Sequence, residues 1–146
     1  MIGERLPYAL KPGLVGEAGQ EVKAEDTAAR WGSGLVDAFA TPVLVALVEK
    51  ASVNAIEMLL GADQTTVGIE VNVRHLAATP IGMKVKARSE LVEIDGGRVK
   101  FKVEAWDAKE KICEGSHVRA IVDKSRFVSR LMLKAGHVNQ GSDELR

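Results

Sequence analysis

Three residues carry side chains suited to nucleophilic and acid–base chemistry, and two of them share one helical run. Thr41 and Glu49 fall in "ATPVLVALVEKASVNAIEMLLGA" (residues 40–62); His75 ends "TVGIEVNVRH" (66–75). A carboxylate beside an imidazole fixes its tautomer and raises its basicity, and a hydroxyl within reach of the ring becomes a nucleophile or a donor. Each residue also has a purely structural use. Thr41 suits a helix cap, Glu49 a margin position paired with a lysine or reaching to water, and His75 a hydrogen-bonded core position.

The helix that must position Thr41 and Glu49 is well marked. Thr41 is a good N-cap, and Pro42 suits the first helical position, where its missing N–H costs nothing. The apolar run continues to about Leu60, and Gly61 is a plausible C-cap. On a wheel of about 100° per residue, Glu49 lies within about 40° of Val45, Val53 and Ile56. Lys50, Asn54 and Glu57 form a polar stripe centred roughly 105° away. Glu49 therefore projects among aliphatic side chains, where an ionised acid needs a partner or a raised pKa.

From Thr66 the period changes to two. Val67, Ile69, Val71 and Val73 share one face, while Gly68, Glu70, Asn72 and Arg74 share the other. His75 continues the apolar parity, so it should point at the helix and meet Glu49. "ATP" (78–80) ends this run. A second strand alternates Met83, Val85 and Ala87 against Lys84, Lys86 and Arg88. "DGG" (95–97) is a hairpin signal. A third strand alternates Val99, Phe101, Val103 and Ala105 against Lys100, Lys102 and Glu104, and a fourth covers about 112–122.

Short links make these strands antiparallel, and each apolar face needs the long helix to cover it. The expected class is α+β. Residues 14–28 read as extended chain with weak periodicity, "RWGSG" (30–34) as a turn, and 124–134 as a short peripheral helix. The expected organisation is an N-terminal extension (1–12), one domain (13–134) and a flexible tail (135–146).

Bulk composition narrows the function classes. The chain has 146 residues, 46% of them hydrophobic, with 20 basic and 20 acidic residues. That balance, with only 4% aromatics, does not support nucleic-acid binding. The longest apolar stretch is broken by Glu49 and Lys50, too soon for a membrane span. The N-terminus "MIGERLPYALKPG" lacks the apolar run of a signal peptide. One cysteine, Cys113, cannot form an intrachain disulfide; a packed thiol in a reducing, cytoplasmic setting is expected. No metal-ligand pattern stands out. His117 lies in a strand whose faces are both mixed, and a structural role is favoured. Lys84, Lys86, Arg88, Lys100 and Lys102 read as a solvated sheet face, with phosphate contact the minority reading.

Three stretches carry a resemblance: "ATPVLVALVEKAS", "TTVGIEVNVRHLAATPIGMKVKARSEL" and "EGSHVRAIVDKSRF". Together they resemble the hotdog-fold thioesterase family typified by fluoroacetyl-CoA thioesterase, from about residue 13 to residue 130. The resemblance implies a long helix wrapped by a curved antiparallel sheet. It implies a homodimer, or a higher assembly built from it, with acyl-CoA sites near the subunit interface. It puts the catalytic threonine, glutamate and histidine on Thr41, Glu49 and His75. It puts the glycine near the thioester carbonyl on Gly68, and a substrate or CoA contact on Arg119. No cofactor is implied, since coenzyme A would belong to the substrate. The aromatic residues that gate the acyl pocket in the fluoroacetyl enzyme have no clear counterpart in "RWGSGLVDAFA" (30–40).

The expected activity is thioester hydrolysis. His75 would act as base on water or on Thr41, oriented by Glu49; alternatively Glu49 itself attacks or activates water. A hotdog protein that binds acyl-CoA or another small ligand without turnover is the competing expectation. A hydratase or dehydratase on the same fold is less suited, because the Asp/His motif usual in those enzymes is absent.

Overall fold

The computed structural model describes residues 10–141. Strand β1 (Val15–Glu21) is followed by a 3-10 turn (Ala24–Asp26) and a single turn of helix, α1 (Ala28–Trp31). The long helix α2 (Thr41–Ile56) comes next. Then follow β2 (Gln64–His75), β3 (Lys84–Asp95), β4 (Arg98–Trp106), β5 (Lys111–Asp123) and a closing helix, α3 (Lys124–Gly141). The five strands make one sheet in the order β1-β3-β4-β5-β2, antiparallel at every pairing.

The period-two reading of β3 and β4 holds. Val85, Ala87, Ser89 and Leu91 are buried on β3, as are Val99, Phe101, Val103 and Ala105 on β4. They pack beneath Leu44, Val48, Ala51 and Ala55 of α2. Gly96 and Gly97 link β3 to β4, and Gly96 takes φ +60°, as a two-residue hairpin turn requires. Helix and sheet touch most closely at β1. A Cβ on Gly16 would collide with the backbone of Ala51 and Ala55, so glycine there lets the strand lie directly on the helix. One polar pair sits inside this layer: Ser52 Oγ bonds the Val48 carbonyl and lies 2.7 Å from Ser89 Oγ.

Four local expectations change. Thr41 is not the N-cap: Ala40 holds that position without a side-chain bond, and Thr41 is already helical. Its hydroxyl is engaged elsewhere, as described below. The α ladder stops at Ile56, whose φ of −131° departs from helical geometry, and a 3-10 turn (Glu57–Leu59) carries the chain on; Leu60 rather than Gly61 closes it. The segment 14–28 is not extended throughout: one strand is followed by helical turns. Helix α3 runs to Gly141, through part of the stretch expected as a loose tail. Of the expected N-terminal extension, residues 1–9 lie outside the described residues, and Leu10 is buried in the core. Among the described residues no helix is long and apolar enough to cross a membrane.

Candidate active site

Two clusters hold the candidate residues. The first is open. Thr41 opens α2 and His75 ends β2, and Thr41 Oγ1 lies 2.8 Å from His75 Nδ1. The hydroxyl is exposed, while the ring is half-buried. Burial holds the imidazole below its ordinary value, with the backbone of Ala77 opposing. Burial thus favours the neutral ring, the form that can accept a proton. The hydroxyl can donate to Nδ1 or accept from it, so the contact suits either ring tautomer; the other ring nitrogen is Nε2. That atom is buried and has no hydrogen-bond partner among the described residues.

The second cluster is closed. Arg119 of β5 is 6% exposed. Its Nε donates to Thr66 Oγ1 (2.8 Å) and its Nη2 to the Thr66 carbonyl (3.0 Å). Its Nη1 donates to Glu49 Oε2 (3.0 Å) and to His117 Nε2 (3.1 Å). Here is the partner that the wheel requires for Glu49. The acid occupies the flank of α2 with half-buried Val45 and Val53, and its side chain remains 38% exposed. Only Oε2 is engaged among the described residues; Oε1 makes no hydrogen bond there. Glu49 thus takes the margin position, but it pairs with a buried arginine from the sheet rather than with a lysine.

A β-bulge explains how Gly68 joins this cluster. Pairing between β2 and β5 slips between Gly68 and Glu70, and a bulge reverses which side chains face inward. Before it, Thr66 is buried; after it, Val71, Val73 and His75 turn to the helix, and Val73 packs on the core. Ile69, expected on the inward face, is 44% exposed. Gly68, expected outward, faces α2: a Cβ there would lie 2.6 Å from Glu49 Oε2 and 3.4 Å from Arg119 Nη1. Only glycine leaves room beside the carboxylate.

Glu49 does not orient His75 within one chain. No hydrogen bond or ion pair joins them among the described residues; His75 meets Thr41, and Glu49 meets Arg119. The reason is helical rise. Eight residues separate Thr41 from Glu49, about 12 Å along the axis at 1.5 Å each. A ring bonded to the first cannot reach the second. Arg119 likewise sits beneath Glu49 rather than open to solvent. His117 gained its place unforeseen by residue type alone. The signal was "H-x-R": positions two apart on a strand share a face, so an inward Arg119 brings an inward His117. Cys113 is buried and free, its thiol pushed up to about 11 by burial. No group of His, Cys, Asp and Glu among the described residues could hold a metal ion. A surface cavity of about 770 Å³ lies at the β1–β3 side, walled by residues such as Gln20, Lys84 and Trp106, and touches neither cluster.

The chain is similar to known thioesterases. Residues 22–125 match the family model FlK, fluoroacetyl-CoA-specific thioesterase. The fluoroacetyl-CoA thioesterase of Streptantibioticus cattleyicolor is 34% identical over 98 residues, covering 67% of this chain and 70% of that one. Among solved structures, a variant of the fluoroacetyl-CoA-specific thioesterase FlK in complex with fluoroacetate and CoA is 28% identical. It covers 81% of this chain and 99% of its own, with a TM-score of 0.77. A thioesterase superfamily member from Thermus thermophilus is 26% identical, covers 90% and 96%, and has a TM-score of 0.81. The sheet curled around α2 is the hotdog fold.

Proposed function

Because the chain belongs to the FlK family of fluoroacetyl-CoA-specific thioesterases, we propose that it hydrolyses a small acyl-CoA thioester with Thr41, His75 and Glu49. The observation that carries this reading is the 2.8 Å contact between the exposed Thr41 hydroxyl and a neutral His75. His75 Nδ1 takes the hydroxyl proton as Thr41 Oγ1 adds to the thioester carbonyl carbon. The oxyanion that forms lies at the N-terminus of α2, where the helix dipole is positive. As the C–S bond breaks, the proton passes from His75 to the leaving sulfur. Water then cleaves the threonine ester: His75 accepts a proton from the water and returns it to Thr41 Oγ1 as the acid leaves. Coenzyme A enters only as part of the substrate, and no cofactor is invoked. The competing reading, binding without turnover, gives no use to a hydroxyl poised on a neutral imidazole.

The separation of Glu49 from His75 supports a shared site. In this reading two copies pair about a two-fold axis, and Glu49 of one copy faces Thr41 and His75 of the other. Gly68 borders the carboxylate, so the thioester carbonyl approaches backbone there without obstruction. The lone, buried cysteine suits a reducing, cytoplasmic setting.

Release of free thiol from a panel of acyl-CoA substrates tests the reading. Thr41→Ala and His75→Ala should each lower kcat/KM by about 10²- to 10⁴-fold while leaving circular dichroism unchanged. Wild-type kcat/KM in both folded variants overturns the assignment, and wild-type binding with no turnover on any thioester supports the binding module instead. Mixing Thr41→Ala chains with Glu49→Gln chains should restore about a quarter of the sites, since each hybrid pair holds one intact combination. No recovery on mixing means that Glu49 serves its own chain.

A further inference from the structure

Among the described residues, His117 is the one fully buried titratable ring that the proposed reaction does not use. It is 0% exposed and stacks on Phe101, with ring centroids 6.3 Å apart. Its Nδ1 lies 2.7 Å from the Glu70 carbonyl oxygen, which only accepts; Nδ1 therefore carries the ring hydrogen. Its Nε2 lies 3.1 Å from Arg119 Nη1, and a guanidinium only donates; Nε2 therefore presents a lone pair. Both neighbours are satisfied by one species, the neutral Nδ1–H tautomer. An imidazolium would turn an N–H toward an N–H and set a second cation against Arg119. The 3.9 Å approach of His117 Nε2 to Glu49 Oε2 is thus not an ion pair. Burial, and to a lesser degree the Arg119 charge, hold the ring below its ordinary value, while the Glu70 carbonyl and Glu49 oppose.

The ring stands at a junction. The carbonyl it grips belongs to Glu70, at the bulge that turns Gly68 inward. The donor it accepts from is the same Nη1 that holds Glu49 Oε2. One side chain therefore links the backbone irregularity that clears space beside the carboxylate to the cation that aims it.

We propose that His117 is a positioning residue, a lone-pair acceptor that locks Arg119 Nη1 onto Glu49 so that the carboxylate's free oxygen is held toward the thioester. This rests on the reading that Glu49 serves hydrolysis. Without an acceptor at Nε2, Nη1 loses one of its two anchors, Glu49 gains rotational freedom, and the chemical step suffers more than binding does.

Two variants and one spectrum test it. His117→Phe keeps the ring's bulk and its stacking on Phe101 but has no lone pair. His117→Gln offers an amide oxygen at the Nε2 position. The expected result is a fall in kcat of about 10- to 100-fold for the Phe variant, little change in KM, and recovery of most of that loss in the Gln variant. Wild-type kcat in a folded Phe variant overturns the proposal, as does equal loss in both folded variants, which marks a packing role. Nitrogen NMR of the wild-type protein is independent of activity and of variant folding. At pH 7 it should show His117 neutral, with hydrogen on Nδ1 and none on Nε2. A hydrogen on Nε2 overturns the proposal even in an active enzyme. If instead the wild type hydrolyses no thioester, the parent reading fails while the tautomer result still reports on the network.

Discussion

The Thr41–His75 pair and the Glu49–Arg119 cluster hold similar ingredients under opposite conditions. In the first, a hydroxyl and a ring meet across an open surface through one hydrogen bond. In the second, a buried guanidinium spends every nitrogen on Thr66, Glu49 and His117. In the proposed reaction the open pair exchanges protons and admits a substrate, so a light, accessible contact suits it. There the closed cluster has to hold one carboxylate still. A buried arginine does this because its planar fork satisfies several acceptors in one fixed geometry. The two clusters thus sit about two turns apart on α2, one at its N-terminus and one near its middle.

The largest break in this comparison is Arg119→Met. It leaves Thr66, His117 and Glu49 without their donor in a largely buried setting. A loss of about 2–4 kcal/mol of stability is expected in urea melts, below the upper range because Glu49 can still reach water. Thr41→Ala, by contrast, should cost under about 0.5 kcal/mol, since its side chain is exposed and caps nothing. Equal losses in the two would erase the distinction between them.

Gly68→Ala gives an intermediate effect. Its methyl falls 2.6 Å from Glu49 Oε2, and the cheapest relief is for the carboxylate to swing away from Arg119. A stability loss of about 1–2 kcal/mol and a clear drop in kcat are expected together. Unchanged kcat in the folded variant would mean that the carboxylate's placement beside Gly68 does not matter to the reaction.

The smallest effect is a pH dependence that separates the clusters. Burial lowers the folded pKa of both His75 and His117 from the ordinary 6.5. The unfolded chain therefore takes up protons first as the medium is acidified. Stability is complete above about pH 6.5 and declines as pH falls through that value toward the folded pKa values. His117→Gln should flatten part of this decline in stability. His75→Gln should flatten the other part, and in the proposed reaction it also removes the base, so activity collapses in this variant. Melting midpoints between pH 7.5 and 5, measured for both variants, test the assignment; an identical slope in His117→Gln and wild type would contradict it.

Much of the positioning was legible before any coordinates. The alternation in β3 and β4 named the buried face residue by residue, because side chains on a strand switch sides at every step. The wheel showed that Glu49 stood off the polar stripe, and burial cost then demanded a partner. What misled was the assumption that parity runs unbroken along β2. The bulge at Gly68–Glu70 turns Thr66 and Gly68 inward and Ile69 outward, and nothing in the composition of "TVGIEV" marks that slip. The Thr41 cap was a sound local inference that lost to a distant competitor. A histidine 34 positions along the chain took the hydroxyl.

Local sequence by itself determined the elements, the sheet's apolar face and the residue types able to do chemistry, since propensity, period and side-chain inventory act over a few neighbouring positions. Only the tertiary structure decided which of them meet. Helical rise keeps Glu49 from His75, strand pairing sets His117 and Arg119 beneath it, and one bulge opens the space at Gly68. Those outcomes depend on distances between segments far apart in the chain, which no local pattern encodes.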